Sequence, residues 1–559
     1  MKRNLRAFRV GVISVLAVLA GLPPFPSVAQ TTLDEEELWR RIQREAEERA
    51  QQQQAPRVRL QPAPAIPEGL DLPAEAECFP IDEVHLQGDR LEQFKWLGRY
   101  LAQYAGRCIG REGLNLILKR ATGLLLDRGL ITTRVGLPEQ DLSSRVLKIG
   151  VIPGVVRAVR FAEPTPRGVW NTAFPIRPGD LLELRDLEQG LEQMKRLAFQ
   201  EVNLDLVPGA VPGETDILIK VERVRPWRAS LSADDAGSPA LGRWQGAAQV
   251  AVDNPLGWND ALSLDLSATL ATPPAQHGVT LSYSLPWGYW SFALAASAYE
   301  YEQSVRGTNE SFVSSGDSRS LEFKIQRVLY RDQAHKASLQ SRVTQRRSHG
   351  FIDDAEILVQ RREVTAAELA LLHRAYVAGA QFDAALAHRR GVPWFDAQPE
   401  TASGDEPTTR YRLHTLDVSI QKPFTAGAYQ ARYLGSLHGQ VNQTMLYGSE
   451  FIALGNRYTV RGFDGAETLA AERGAFWRNE VELRWGRFAV SPYAGLDIGR
   501  VGGASAPALS GTTLAGVVLG ARGVWHGIYF DGFAGWPLHA PPGFETARPA
   551  MGGQVLYQF

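Results

Sequence analysis

The chain has 559 residues, 44% of them hydrophobic and 22% charged, with a formal net charge of −1. That length admits several domains, and the balanced charge removes any global signal for nucleic acid. At the N-terminus, Lys2, Arg3, Arg6 and Arg9 precede an apolar run from Val10 to Leu22, and Ser27-Val28-Ala29 follows. This is the order of a signal peptide over residues 1–29. The run is too short to span a membrane comfortably. Cleavage after Ala29 removes four positive charges and no negative ones, leaving about −5. No later segment offers the ~18 uninterrupted apolar residues of a transmembrane helix. A secreted chain of this composition is therefore a soluble periplasmic protein or an outer-membrane barrel.

Residues 31–54 predict a charged helix. Thr32 and Glu35 have capping-box spacing, and the acids from Asp34 to Glu37 suit a first turn. Glu36/Arg40, Glu37/Arg41 and Glu45/Arg49 stand at i,i+4. Leu38, Ile42 and Ala46 make only a narrow apolar stripe. Such a helix suits a wet, polar channel or open solvent. A Gln- and Pro-rich linker follows over 55–75, with Pro56, Pro62, Pro64, Pro67 and Pro73. The two cysteines, Cys78 and Cys108, are expected to be bonded in an oxidising compartment, which stabilises their domain by roughly 3–4 kcal/mol.

Residues 78–152 predict a small α/β unit: a strand at Ile81–Leu86, helices near 91–105 and 111–128, and strands at Thr132–Leu137 and Arg145–Ile152. Residues 153–224 partly repeat it. A strand at Val155–Phe161 leads to a Pro178-Gly179 turn, a helix near 185–197, and strands at Val202–Val207 and Asp216–Val221. Two β-α-α-β-β units in tandem follow from this, with the faintest signal at the first helix of the second. Their short edge strands are able to accept an extended polypeptide.

From about Pro226 the texture changes. Leu262, Leu264 and Leu266 alternate with Ser263, Asp265 and Ser267; Val279, Leu281, Tyr283 and Leu285 alternate with Thr280, Ser282 and Ser284. Val555, Tyr557 and the terminal Phe559 share one face. Apolar-out, polar-in dyads are the pattern of a transmembrane β-barrel. At ~20 residues per strand with its connection, the 334 residues from 226 to 559 give roughly 16 antiparallel strands. Trp287, Tyr289, Trp290 and Phe292 suit the interfacial girdle.

One stretch of this half stands apart, Asn456-Arg457-Tyr458-Thr459-Val460-Arg461-Gly462-Phe463-Asp464-Gly465. It lies between strand-like runs, in a loop near 450–470 suited to fold into the lumen. Arg461 would then need a carboxylate partner, because a poorly solvated charge is costly unless paired. Asp497, in Gly495-Leu496-Asp497-Ile498-Gly499, has outward-type neighbours and so points inward by the period-2 rule. No nucleophile elbow, Walker loop, His-Glu-x-x-His or Cys-x-x-Cys occurs, and the ten histidines show no metal-ligand spacing. Neither an enzyme nor a metal or cofactor protein is expected.

The chain resembles the outer-membrane translocators of two-partner secretion, the TpsB family that exports haemolysins and filamentous haemagglutinins. The resemblance rests on Cys78-Phe79-Pro80-Ile81, Gly106-Arg107-Cys108, Gly129-Leu130-Ile131-Thr132-Thr133-Arg134-Val135 and Pro138-Glu139-Gln140-Asp141-Leu142 in the first unit. Asp186-Leu187-Glu188-Gln189-Gly190-Leu191-Glu192 and Val207-Pro208-Gly209 carry it in the second. In the last part it rests on Asp253-Asn254-Pro255-Leu256-Gly257, Tyr283-Ser284-Leu285-Pro286-Trp287-Gly288, Arg478-Asn479-Glu480, Val460-Arg461-Gly462-Phe463 and Gly495-x-Asp497-x-Gly499. Leu197-Ala198-Phe199 departs from the family's usual Pro-Ser pair.

The resemblance implies two α+β periplasmic POTRA (polypeptide-transport-associated) domains, 78–152 and 153–224, before a membrane-embedded all-β barrel over 226–559. Residues 31–54 become a helix that plugs the pore, and the lumen loop is locked by Arg461 on Asp497. The cargo is an unfolded TpsA-type exoprotein, recognised through its own N-terminal secretion domain and moved without ATP or an ion gradient. Other implied partners are outer-membrane lipid and, through Phe559, the barrel-assembly machinery. Two other readings are a barrel-assembly insertase, which generally carries more POTRA units and lacks the plug helix and linker, and a passive porin, which needs no periplasmic modules.

Overall fold

The computed structural model describes residues 28–54, 56, 58–60, 69–163, 168–198, 200–223, 225–238, 240–271, 275–306, 310–400, 406–484 and 490–559. The leader-like segment up to residue 27 and residues 61–68 of the Pro-rich linker lie outside them. Helix α1 runs from Val28 to Gln54, so it begins ahead of the expected start.

The first unit contains β1 (Phe79–Ile81), β2 (Glu83–Gly88), α2 (Lys95–Leu101), β3 (Arg107–Ile109), α3 (Arg111–Asp127), β4 (Arg134–Gly136) and β5 (Val146–Ile152). β2 runs parallel to β5, and β4 antiparallel to it. The apolar faces of α2 and α3 meet this sheet through Phe94, Leu97, Leu101, Ile117, Leu125 and Ile149. Burying each such side chain is worth about 1.5–3 kcal/mol. The pairing of β1 with β3 sets Pro80 opposite Cys108, and Cys78 and Cys108 are bonded. The linker contributes too: Glu75 accepts the backbone N–H groups of Gly113 and Glu112, each at 2.8 Å, and so caps α3. Those bonds hold its carboxyl below the ordinary range.

The second unit contains β6 (Val155–Phe161), α4 (Leu184–Lys195), β7 (Gln200–Pro208) and β8 (Glu214–Arg223), in the order β6-β8-β7. Among the described residues it has one helix where two were expected. Residues 170–174 make a single turn, with Ala173 and Phe174 both donating to the Trp170 carbonyl. Pro175 and Pro178 then stop any continuation.

Sixteen long antiparallel strands close a barrel. The first seven are β9 (Trp227–Asp234), β10 (Gln245–Asp253), β11 (Ala261–Thr269), β12 (Gln276–Trp287), β13 (Trp290–Arg306), β14 (Ser311–Arg331) and β15 (His335–Ile352). After the short β16 (Ala355–Glu356) come β17 (Arg362–Val377), β18 (Ala380–Val392), β19 (Arg412–Ala426) and β20 (Tyr429–Asn442). The hairpin β21 (Ile452–Leu454) and β22 (Leu469–Ala471) interrupts the wall. The last five strands are β23 (Arg473–Arg484), β24 (Val490–Gly502), β25 (Thr513–Trp525), β26 (Ile528–His539) and β27 (Ala550–Gln558), and β27 closes on β9.

The dyads sort as the pleat requires. Leu264, Leu266 and Leu281 lie exposed on the outside, while the Ser263 and Ser282 hydroxyls bond each other across two strands within the lumen. Trp227, Trp287, Trp290, Trp525 and Phe559 are exposed beside the turns nearest the second unit, where amphipathic rings suit a membrane interface. The second unit is fixed to those turns: Gln189 and Gln193 on α4 donate to the Gly288 carbonyl, and Asn259 donates to that of Val169.

Candidate functional site in the barrel lumen

The loop between β20 and β23 folds inward, and its hairpin of β21 and β22 packs an apolar knot against the wall. Val460, Phe463, Leu454 and Leu469 are buried there with Leu514 and Phe544. Phe463 and Phe544 meet edge to face at 5.5 Å. This knot aims Arg461 at β24. Its Nε donates to Asp497 Oδ2 at 2.7 Å, and Nη2 to Oδ1 at 3.0 Å, a bidentate fork. The Arg461 backbone N–H adds a third bond to Oδ2. Nη1 donates to Glu480 Oε2 at 2.6 Å, and Nη2 also reaches the Asn479 carbonyl.

Asp497 is 0% exposed and Arg461 4%, while Leu496 and Ile498 beside Asp497 are 53% and 49% exposed on the outer face. Around this core, Arg522 donates to Glu480 at 2.6 Å and stands 3.5 Å from both Glu482 and Asp531. Arg432 pairs with Glu482 at 2.8 Å, and Arg478 donates to the Tyr458 carbonyl. Four arginines thus face Glu480, Glu482, Asp497 and Asp531.

Glycines let the loop reach the wall. A Cβ on Gly495 would stand 2.7 Å from Arg461 Nη2, and one on Gly499 would stand 2.7 Å from a Leu454 methyl. Gly462 has φ +106°, which an L side chain rarely adopts, and its own Cβ would strike the Trp536 carbonyl. Two further glycines, Gly516 and Gly535, lie directly under the loop backbone: a Cβ would stand 1.9 Å from the Arg461 carbonyl oxygen in one case and 2.8 Å from Gly462 Cα in the other. The pattern of a single strand marks neither of them, nor Glu480 as a partner of Arg461. The signal they do carry is that of a Gly inside a strand, which marks close backbone approach.

Helix α1 lies in the same lumen, in contact with the loop and with strands from several sides of the wall. Glu36 accepts from Ser238 Oγ at 2.6 Å, and Trp39 Nε1 donates to the Ala236 carbonyl. Arg40 sits 3.4 Å above the Tyr299 ring. Glu48 pairs with Arg342, Glu45 with Arg389 and Arg49 with Asp417. Leu38 and Ile42 pack on the loop residue Ala453. Of the three expected intrahelical pairs none is formed among the described contacts; Arg41 instead pairs with Glu45 and donates to the Phe451 carbonyl. The physical reason is that the wall competes for the same groups: Glu36 meets a serine hydroxyl and Arg40 an aromatic ring, while Glu37, Glu45 and Arg49 face Arg346, Arg389 and Asp417. Among the described residues no group of three His, Cys, Asp or Glu could hold a metal ion.

Residues 213–523 match the family model described as haemolysin secretion/activation protein ShlB/FhaC/HecB. Residues 79–154 match a ShlB-type POTRA domain, and 155–208 a POTRA domain. The outer membrane transporter CdiB-2 of Burkholderia pseudomallei is 40% identical over 92% of this chain and 92% of its own. The hemolysin transporter protein ShlB of Serratia marcescens is 29% identical over 81% of each. The solved structure of CdiB from Escherichia coli superposes with a TM-score of 0.87 at 26% identity, covering 94% of this chain and 98% of that one.

Proposed function

The chain belongs to the haemolysin secretion/activation family of ShlB, FhaC and HecB, outer-membrane translocators with periplasmic POTRA domains, and from that premise we propose that it exports one large exoprotein, unfolded, to the cell surface. The observation that carries this reading is the occupied lumen. A helix of the chain's own fills the barrel, paired to its wall by Glu48–Arg342 and Arg49–Asp417, and leads into the periplasmic units. A passive porin gains nothing from such a closure, and removing it on demand is what a dedicated exporter needs.

In this reading the cargo is a TpsA-type protein, haemolysin-, adhesin- or toxin-like, and its N-terminal secretion domain is met by the periplasmic units. β2 and β7 lie at sheet edges, each hydrogen-bonded to one neighbour, so an extended segment can add to either by backbone pairing. α1 then withdraws, and the polar lumen solvates the passing backbone. Folding outside makes the passage one-way, without ATP or an ion gradient. Arg461 on Asp497 holds the wall in its transport-competent form throughout. The outward apolar band meets outer-membrane lipid, and Phe559 marks the chain for the barrel-assembly machinery.

The test is to delete the gene and follow both a large exoprotein encoded beside it and the general set of outer-membrane barrels. Loss of the exoprotein from medium and surface, with other barrels unchanged, is the expected result. A general fall in other barrels would replace export by barrel assembly.

A further inference from the structure

The chain leaves α1 at Gln54 and is buried again four residues later. Val58 is 6% exposed and belongs to the core of the second unit, with Phe174, Leu187, Leu191 and Met194. Leu60 packs on the same cluster. The backbone is held from two sides. Arg331, at the end of β14 next to the second unit, donates from Nη2 to the Val58 carbonyl at 2.8 Å. Glu188 on α4 accepts the Leu60 N–H at 2.9 Å. Both holders are themselves fixed: Arg185 donates to Glu188 at 2.7 Å, and Arg331 to Glu192 at 2.7 Å and Gln189 at 3.1 Å.

A carbonyl at one residue, an N–H two residues on and an aliphatic side chain between two elements is the recognition pattern of an extended peptide. Backbone contacts give affinity to many sequences, and a side-chain pocket selects among them. Because the carboxylate and guanidinium are already ordered, little entropy is lost when they meet a new backbone.

The slot is tied to the pore by length. α1 has 27 residues and is about 40 Å long. The chain from Gln54 to Val58 spans at most about 14 Å. α1 cannot withdraw along the barrel axis while Val58–Leu60 stays seated. We propose that the slot between α4 and β14 is a binding site for an extended peptide with an aliphatic anchor, filled at rest by Val58–Leu60 and offered to the exported chain once α1 leaves. The proposal rests on the export reading for the identity of that second occupant. Recognition and opening then coincide, because one movement clears both the pore and the slot.

The probe is a fluorescein-labelled peptide with the sequence of residues 55–60, titrated into the detergent-solubilised full chain. The natural chain is compared with a variant whose residues 56–60 are replaced by Gly-Ser-Gly-Ser-Gly. The variant is expected to bind the peptide at least ten-fold more tightly than the natural chain, and a peptide with Asp in place of its Val should not bind. Equal binding by the two proteins, or none by the variant, overturns the proposal. Loss of trypsin resistance in the variant's second unit overturns it as well, since Val58 would then be a structural part of that core. Exoprotein secretion by the natural chain is scored in parallel. Export without peptide binding to the variant removes the slot and leaves the export reading intact. Peptide binding to a chain that exports nothing overturns the assignment of the slot to an exported protein.

Discussion

Two pieces of chain occupy the barrel, and they are held in different ways. The arginine at the centre of the inward loop is saturated: Nε, Nη1, Nη2 and the backbone N–H of Arg461 all donate, to two buried carboxylates and a carbonyl. The helix is not. Of its wall pairs, Arg342–Glu48 is close at 2.7 Å, but Arg49–Asp417, Arg389–Glu45, Arg346–Glu37 and Lys324–Glu48 stand at 3.3, 3.6, 3.8 and 3.9 Å. Glu36 Oε2, Glu37 Oε1 and Arg41 Nε are buried with no hydrogen-bond partner among the described residues. Each such atom costs roughly 1–3 kcal/mol. Arg461 is thus fully engaged at the wall, whereas the helix carries three buried polar atoms that are not.

The largest break in this contrast is Arg461→Ala. It removes the bidentate partner of the fully buried Asp497 and leaves Glu480 with Arg522 alone, and removing one member of a buried pair costs about 3–5 kcal/mol. Secretion should fall to background while the barrel still assembles and keeps its heat-modifiable migration on a gel; normal secretion would sink the lock. Next come two glycines. Gly516→Ala sets a methyl 1.9 Å from the Arg461 carbonyl oxygen, where only backbone can yield, so secretion should drop at least ten-fold. Gly465→Ala sets one 2.6 Å from the Trp39 ring of α1. Gly465 also has φ +81°, so the turn takes some strain, but the contact itself is with a side chain of the helix, which can give way; pore conductance should rise and secretion persist. Equal phenotypes for the two variants would erase the distinction between fixed loop and removable helix.

These contrasts were only partly legible in the sequence. Asp497 was placed inward by parity alone, because Leu496 and Ile498 flank it. Its bond to Arg461 followed from the cost of an unpaired charge. That Glu480 shares Arg461, and that Gly516 and Gly535 floor the loop, depends on the register of β23, β24, β25 and β26, which one strand's pattern does not carry. Spacing at i,i+4 predicts intrahelical pairs in α1, but the same spacing produces a charged stripe, and spacing cannot tell which partner wins. The missing helix before Pro175 was available in the prolines themselves. Val58 was not, since one valine in a Pro- and Gln-rich run has no periodicity to mark it.

A smaller effect comes from salt. Raising ionic strength from 0.1 to 1 M shortens the screening length from ~10 to ~3 Å. The partly solvated pairs of α1 should weaken, and open-pore time in planar bilayers should increase several-fold. The Arg461 cluster is buried and should keep its function, so secretion capacity measured after return to low salt should be unchanged. Loss of capacity after the cycle would mean that the loop is as removable as the helix.

The smallest effect lies in neither lumenal piece and serves as their control under acid. Asp216 on β8 accepts from Arg157 Nε at 2.7 Å and from Arg160 at 3.2 Å. The hydrogen bond from Arg157 holds its carboxyl below the ordinary carboxylate range, against the opposing effect of burial. A carboxyl depressed in the folded state stabilises it fully above its unfolded value of about 3.9, and the contribution fades as pH falls through the folded value. The protection of β8 amides against hydrogen exchange, corrected for the intrinsic rate at each pH, should therefore fall below about pH 4 more in the natural chain than in Asp216→Asn, which has no such carboxyl to lose. If pore opening in acid follows the same curve and vanishes in Asp216→Asn, acid acts on the helix through the second unit. If opening persists in that variant, acid acts on the helix pairs themselves, as their incomplete partnering requires.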